Sequence, residues 1–445
     1  MANNSPISNK EAVLSKVLDL WDSVAIVVGV VIGVGIFRVP AEIAGYLPFP
    51  KLIILAWLLG GIFSMVGALC YAELSSSFPE TGGDYVYIKE SYGKLAAFLY
   101  AWAGILVVRT GVIATVALIF AEYSISFFSL HASLVKAVAI FIIATLSFVN
   151  ILSVKKGKCL LNISVMAKIA ALAGIIIFGI MLGKGEIKNF QHLSFSGEKN
   201  IMELFGLAMV PVLWTYGGWH ENTFMTGETK NAQKVLPMAL ITGTIIITLI
   251  YSCMNTIYIY LVPVDRMAHS TLIASDIMKL LCGKEATKIV EGLVMLSAFG
   301  SLNATIITSS RITYAMGRDN PLFRYIGEVH TRFRTPARAI TANAIWSSIL
   351  IIIWGTFSKL LFFTGFLVWF FFAIIASGLI ILRYKYPRMD RPFSVWGYPV
   401  TPVIFIMVCI WLTGTILLHY PLQSVIGAGL MLSGVPIYLI SKRFS

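Results

Sequence analysis

Two glycine-containing segments and one lysine are the residues whose types and positions could do chemistry. Residues 29–37 read GVVIGVGIF and residues 214–219 read WTYGGW, and each segment lies inside a long apolar run. Glycine costs about 1 kcal/mol relative to alanine in a helix, so the pattern predicts two helices that stop and restart. Free N–H groups at one half-helix suit a carboxylate, and free carbonyls at another suit an ammonium. An amino acid carries both groups on one carbon.

Close helix packing is the alternative interpretation of these glycines. Gly29 and Gly33 have the GxxxG spacing that lets two membrane helices approach closely. That spacing does not account for Gly35, Gly217 or Gly218. Unpaired backbone groups at membrane depth are tolerated only where they are buried in protein or line a cavity. Two broken helices therefore predict a cavity between them.

Lys168 lies well inside another apolar run. A lysine at the centre of a membrane helix costs about 2.5–3.5 kcal/mol, so it should face a partner or a cavity. A lysine that reaches the membrane interface is the alternative, but this one is far from either end of its run. The expected partners are carbonyls around Gly33 and the hydroxyls of Ser301 and Thr305, which share a helix face because they are four residues apart.

The elements that must position these residues are membrane-spanning helices. The chain has 445 residues, of which 58% are hydrophobic and 12% charged, and its mean hydropathy is +0.84. A span needs about 20 mostly apolar residues. The five cysteines show no spacing typical of disulfide frameworks or metal sites. The twelve predicted spans are 22–46, 51–76, 95–124, 132–153, 160–183, 203–226, 236–262, 287–315, 338–356, 359–383, 399–419 and 422–441.

The basic residues predict the orientation of these spans. Lysines and arginines cluster in the segments 153–158, 311–338, 383–391 and 442–443. With twelve spans all four segments fall on one side, which the positive-inside rule makes the cytoplasm. We therefore expect both termini in the cytoplasm. The net charge of +13 is then explained by contact with a membrane face, and no nucleic acid partner is expected.

Several motifs resemble those of the amino acid–polyamine–organocation (APC) superfamily. The run from Ile32 to Phe37 is similar to its GSGIF signature, and the segment from Gly217 to Pro237 resembles its sixth helix and the loop after it. The stretches 79–87, 153–168 and 300–311 resemble the L-type amino acid transporter branch. The similarity is collinear over about residues 20 to 340, which is more specific than any single motif, and the resemblance to a bacterial-type member of that branch rests on the absence of a cysteine in the loop 127–131.

The resemblance implies an all-α integral membrane protein with a LeuT-type fold. In that fold twelve transmembrane helices include two five-helix inverted repeats, helices one and six are discontinuous, and transport proceeds by alternating access. The implied divisions are a cytoplasmic tail at 1–19, the first repeat at 20–186, the second repeat at 187–395, and two final spans with a short cytoplasmic C-terminus at 396–445.

The resemblance also implies roles for residues at both breaks. The N–H groups of Val34, Gly35 and Ile36 would hold the substrate carboxylate. The Trp214 side chain would form an aromatic gate over the substrate, and Lys168 would place its ammonium where sodium-coupled relatives hold a sodium ion. The other implied substrate-site residues are Val31, Gly33, Thr215, Gly217 and His220, with carbonyls of Val31, Trp214, Thr215 and Gly217 receiving the amino group.

Three departures from the family pattern bear on function. Val34 replaces a serine, and His220 followed by Glu221 replaces an asparagine after the tryptophan. The loop 127–131 has no cysteine, whereas animal members use one there to link a glycoprotein, so we expect no disulfide-linked heavy chain.

Further charged residues lie near the predicted site. Arg109 is within the third span, with Glu73, Glu122 and Glu221 as candidate partners, and Asp22 and Arg38 flank the first span as candidate gate charges.

The predicted function is sodium-independent exchange of small or medium neutral amino acids across the plasma (inner) membrane. Proton-coupled symport with Lys168 as the proton switch is an alternative, as is transport of cationic amino acids favoured by Glu221. An enzyme is disfavoured because the zinc-protease motif HExxH, begun by His220 and Glu221, needs a second histidine where Phe224 stands. A channel is disfavoured because the sequence contains no selectivity filter such as TVGYG. The expected partners are free amino acids and the bilayer, with protons under the symport alternative, and no cofactor or metal is expected.

Overall fold

The computed structural model describes residues 18–78, 83–152, 155–182, 185–191, 200–319, 323–330, 332–333 and 335–443. Most of the predicted N-terminal tail lies outside the described residues, as do 79–82 and 153–154 of two family motifs.

Helices make up almost all of the described chain. The first half contains α1 (Leu20–Val31), α2 (Val39–Tyr46), α3 (Pro50–Ser77), α4 (Asp84–Tyr92), α5 (Lys94–Ala103), α6 (Arg109–Phe127), α7 (Val135–Leu152) and α8 (Lys155–Met181). The second half contains α9 (Ile201–Tyr216), α10 (Ala232–Leu261), α11 (Val264–Ala268), α12 (Ile273–Cys282), α13 (Lys284–Asp319), α14 (Ala337–Trp354), α15 (Phe357–Lys385), α16 (Val400–His419), α17 (Pro421–Leu432) and α18 (Gly434–Arg443). A π-helical turn at Gly104–Val108 joins α5 to α6, and 3-10 turns occur at Gly35–Phe37, Ala132–Leu134, Ile187–Phe190 and Trp219–Glu228.

The helices agree with the predicted spans. Within the described residues, ten helices are long and apolar enough to cross a membrane, and each coincides with one of the twelve predicted runs. Two shorter apolar stretches, helix α1 (Leu20–Val31) and the Lys168–Met181 part of α8, lie in the first and fifth predicted runs. The chain is therefore an all-helical, multi-pass membrane protein, as predicted.

The first predicted span is interrupted where the glycines predicted a break. Helix α1 begins with a capping box in which Asp19 and Asp22 accept each other's backbone N–H, and it ends at Val31. The Gly33 N–H donates to the Val31 carbonyl at 2.6 Å. The Gly29 carbonyl, four residues before Gly33, thereby loses the donor that a continuous helix would supply.

The sixth predicted span is interrupted in a different way. Helix α9 ends at Tyr216, and the Gly217 N–H turns back to the Trp214 carbonyl at 3.0 Å. Gly218 then adopts φ +107°, a conformation that L side chains rarely adopt. The chain continues as the 3-10 segment Trp219–Glu228 rather than as an α-helix.

The broken helices lie against long, continuous ones. Helix α10 packs along α3 and α1, while α13 packs along α6 and α8. Outward positions such as Phe141, Phe148 and Leu418 are exposed, as expected for helix faces that meet lipid. The interior between these helices contains the cavity that the broken helices predict.

Candidate functional site

A cavity of about 870 Å³ lies between the two helix breaks. Its volume is within the range of about 300–1,000 Å³ that is typical of small-molecule sites. Residues 33–35 line it from the first break, and residues 213–215 with Gly217 and Gly218 line it from the second. It also reaches the N-terminal end of α1, where Leu18 and Asp22 line it.

The first break presents backbone donors to this cavity. Within the described chain, the N–H groups of Val34, Gly35 and Ile36 donate no hydrogen bond to another backbone group. A Cβ atom on Gly35 would lie 3.0 Å from the Thr215 side chain and 3.2 Å from the Trp214 ring. Any larger residue would require the Thr215 and Trp214 side chains to move by a few tenths of an ångström, so glycine favours this close approach of the two breaks. The arrangement provides three donors at the N-terminal side of a short turn, which suits a carboxylate.

The carbonyls near the breaks are partly engaged by a tyrosine of α10. The Tyr251 hydroxyl lies 2.7 Å from the Val31 carbonyl and 3.3 Å from the Thr215 carbonyl. Tyr251 is fully buried, and its single proton links the end of α1 to the end of α9. Two of the four carbonyls predicted to receive an amino group therefore have this hydroxyl as a partner.

Lys168 contacts the carbonyl that the first break releases. Its Nζ donates to the Gly29 carbonyl at 3.3 Å, and the side chain is 5% exposed. The sequence placed its carbonyl partner around Gly33, whereas the structure places it one turn earlier. Ser301 and Thr305 share the cavity wall with Lys168, although the Thr305 hydroxyl donates to the Ser301 carbonyl at 2.8 Å.

A cluster of aromatic and charged residues lies next to Trp214, at the start of α2. The Trp214 ring meets the Phe357 ring edge-on, with centroids 5.6 Å apart. The Arg38 guanidinium lies 5.1 Å from the same Phe357 ring and donates through Nε to Glu122 at 3.2 Å. Arg38 therefore belongs to a cluster at the α2 end, whereas Asp22, the other candidate gate charge, lines the cavity near its opposite end.

A polar group of side chains forms another part of the cavity wall. Arg109 Nη1 lies 2.9 Å from Glu221 Oε1, so the structure selects Glu221 from the three candidate partners of this arginine. Tyr100 donates to Asp84 at 2.8 Å, and His220 Nε2 lies 4.0 Å from the same carboxylate. All five residues line the cavity.

Comparison with known proteins identifies the family. The sequence profile described as amino acid permease matches residues 18–441. The chain belongs to the amino acid permease family. This match confirms the resemblance to the APC superfamily, and amino acid transport, the predicted class of function, is confirmed with it.

Individual relatives match the permease along almost its whole length. The human b(0,+)-type amino acid transporter 1 is 31% identical over 442 residues, which cover 98% of this chain and 90% of the relative. The human cystine/glutamate transporter is 30% identical, and the alignment covers 99% of this chain and 88% of the transporter. The serine/threonine exchanger SteT of Bacillus subtilis is 29% identical over 97% of this chain and 98% of its own length.

Three features of the permease site were missed from the sequence. Tyr251 gave no signal, because a tyrosine in an apolar run is ordinary for a membrane helix. Asp84 lies between two predicted spans, where a polar residue is ordinary, yet it is buried and accepts a hydrogen bond from Tyr100. The π-helical turn at Gly104–Val108, directly before Arg109, is typical of functional sites, and Gly104 was its only sequence signal.

Proposed function

We propose that this permease is a sodium-independent exchanger of small or medium neutral amino acids that works by alternating access. The observation that carries the proposal is the close approach of two interrupted helices, with Gly35 against Thr215 and Trp214, around one cavity. The name of the Bacillus relative, a serine/threonine exchanger, supports both the exchange mode and the size of the substrate.

The proposed architecture is the LeuT-type fold with twelve spans. The first repeat would be 20–186 and the second 187–395, followed by two spans in 396–445. The two breaks support this division, since one lies in the first and one in the sixth predicted run. Helix α1 (Leu20–Val31) and helix α8 (Lys155–Met181) would belong to spans one and five.

The proposed substrate position follows from the free backbone groups. The carboxylate would be held by the N–H groups of Val34, Gly35 and Ile36. The amino group would be received first by the Gly217 carbonyl, because Tyr251 already contacts the carbonyls of Val31 and Thr215 and the Gly217 N–H donates to that of Trp214. Gly33 and His220 would complete the wall, and Trp214 would close over the substrate as a gate.

Sodium independence is supported by Lys168. Its ammonium is tethered to the Gly29 carbonyl released by the first break, so a fixed cation occupies the place where a mobile one would bind. Ser301 and Thr305 would complete this cation site. The Arg109–Glu221 ion pair also favours neutral substrates over cationic ones, because the Glu221 carboxylate already has a cation beside it.

The proposed location is the plasma (inner) membrane, with both termini in the cytoplasm. The basic segments 311–338 and 383–391 support this orientation. The cavity then opens to the cytoplasm past Leu18 and Asp22, and the Arg38 cluster closes its outer end. The absence of a cysteine in 127–131 supports a transporter without a disulfide-linked heavy chain.

Uptake of labelled alanine into sodium-free proteoliposomes tests the proposal. An exchanger takes up label only when unlabelled alanine is inside the vesicles. Uptake into empty vesicles that rises with an inward proton gradient would instead establish proton symport, with Lys168 as the switch. Uptake of labelled lysine but not alanine would establish a transporter of cationic amino acids.

A further inference from the structure

The Arg109–Glu221 ion pair is a feature of the cavity wall that holds neither the carboxylate nor the amino group of the substrate in the proposed binding mode. The two side chains are 2.9 Å apart, and their exposures are 13% and 29%. Arg109 is the first residue of α6 after the π-helical turn, and Glu221 lies in the 3-10 segment after the second break. The pair thus joins a continuous helix to a broken one across the substrate cavity.

The position of the pair places it beside the substrate side chain. A zwitterion held by its carboxylate and amino group at the breaks must direct its side chain into the rest of the same cavity. Most of that remaining wall is apolar, with residues such as Val112, Val116 and Val368. Arg109 and Glu221 are therefore opposite charges within reach of the group that distinguishes one amino acid from another.

The other charged groups of the cavity lie at the first break, at the N-terminal end of α1 or next to Arg109 itself. Lys168 donates to the Gly29 carbonyl, and Asp22 accepts the Asp19 backbone N–H at the end of the cavity. Asp84 accepts the Tyr100 hydroxyl, lies near His220 and is close enough to Arg109 for its carboxylate to act on the arginine charge. These groups set a background charge that single substitutions at Arg109 or Glu221 leave in place.

We infer that the Arg109–Glu221 pair is the charge-selectivity element of the site. While both partners are present, their charges cancel, and the wall favours uncharged side chains. Removal of one partner shifts the local charge by one unit, and the wall then favours substrates of the opposite sign, since like charges brought together in a poorly hydrated site repel strongly. The inference rests on the proposed function, because it assumes that a zwitterion binds at the two breaks.

The experiment compares Glu221→Gln, Arg109→Gln and the double variant with the wild type. Purified protein in proteoliposomes is assayed for inhibition of labelled alanine uptake by unlabelled glutamate and by unlabelled lysine. We expect the ratio of lysine to glutamate inhibition constants to rise about tenfold in Glu221→Gln and to fall about tenfold in Arg109→Gln. The double variant should return to the wild-type ratio.

The ratio separates selectivity from stability. Loss of folded protein lowers uptake but does not change the ratio of two inhibition constants measured on the same preparation. If one of the two single variants fails to fold, the direction in which the ratio of inhibition constants changes in the other variant still tests the inference. Glu291→Gln is the matched control. Like Glu221, Glu291 pairs with a basic residue, in this case Lys288 at 3.6 Å, but it does not line the cavity.

Ligand-induced thermal stabilisation distinguishes failure of the inference from failure of the proposed function. If alanine neither is transported by the wild-type protein nor raises its melting temperature, the proposed function fails. The inference is tested separately by the rise in melting temperature that glutamate and lysine each produce in the single variants. Unchanged ratios in both single variants, or shifts of the same sign, would overturn it and leave the pair as a structural link between α6 and the second break.

Discussion

The two helix breaks serve one cavity but are held by different means. At the first break, side chains from other helices take the released carbonyls, with Lys168 on Gly29 and Tyr251 on Val31. At the second, Tyr251 makes only a longer contact of 3.3 Å to the Thr215 carbonyl, and the turn itself is set by the backbone at Gly217 and Gly218, the latter at φ +107°.

The difference indicates which break can change during transport. Hydrogen bonds from a lysine and a tyrosine can be exchanged for bonds to substrate or water without straining the chain. A glycine at positive φ is fixed by backbone conformation and tolerates few replacements. We therefore expect the first break to be sensitive to the chemistry of its partners, and the second to be sensitive to steric change.

Replacement of Lys168 by alanine is expected to have the largest effect on transport. The Gly29 carbonyl loses its donor and the cavity loses its fixed cation, so alanine uptake should fall about tenfold or more, while the protein remains folded. Exchange in proteoliposomes measures the effect, and size-exclusion chromatography checks folding. Lys51→Ala, at an exposed lysine of α3, is the control. Wild-type uptake by Lys168→Ala would show that the first break does not depend on this partner.

Replacement of Gly218 by alanine should destabilise the second break. A Cβ atom would lie 2.9 Å from Val30 Cγ1 at a φ that alanine rarely adopts, which should cost about 1–3 kcal/mol. Thermal unfolding in detergent measures the loss. Gly174→Ala is the matched control, since its Cβ would meet nothing within 4 Å. Equal melting temperatures for the two variants would contradict the proposed rigidity of the second break.

Removal of the Tyr251 hydroxyl should have an intermediate effect. Tyr251→Phe keeps the buried ring and deletes the hydrogen bond that joins the two breaks, worth about 1 kcal/mol. We expect a severalfold change in the KM for alanine, because the freed Val31 and Thr215 carbonyls can then receive the amino group. Initial uptake rates over a range of alanine concentrations measure it. A change confined to melting temperature would indicate a structural tether without a role in binding.

Replacement of Gly33 by alanine should have the smallest effect on stability. The nearest atom to a Cβ there is the Val31 carbonyl oxygen at 3.7 Å, an ordinary contact distance. We expect the free energy of unfolding to change by less than about 0.5 kcal/mol. Gly35→Ala, whose Cβ would lie 3.0 Å from Thr215, should cost more in the same thermal assay. If Gly33→Ala is the more damaging variant, the first break depends on backbone freedom after all.

Local rules were enough to predict much of this protein. Long apolar runs must form helices, because backbone groups in lipid have to bond within their own segment. The helix bounds therefore agree with the predicted runs, and the breaks fall at Gly33–Gly35 and Gly217–Gly218. The types of residue at the site were also recognisable, since Lys168 at membrane depth requires a partner.

Only the tertiary structure decided the partners. Glu221 pairs with Arg109 although 112 residues separate them, and the sequence offered two other carboxylates. Lys168 takes the Gly29 carbonyl because the Gly33 N–H turns to Val31, a local detail of the turn that composition does not reveal. Tyr251 and Asp84 reach the site only through the packing of α10 and α4. Hydropathy and glycine content determine where a chain spans and breaks, whereas contacts between distant helices depend on how all of them pack together.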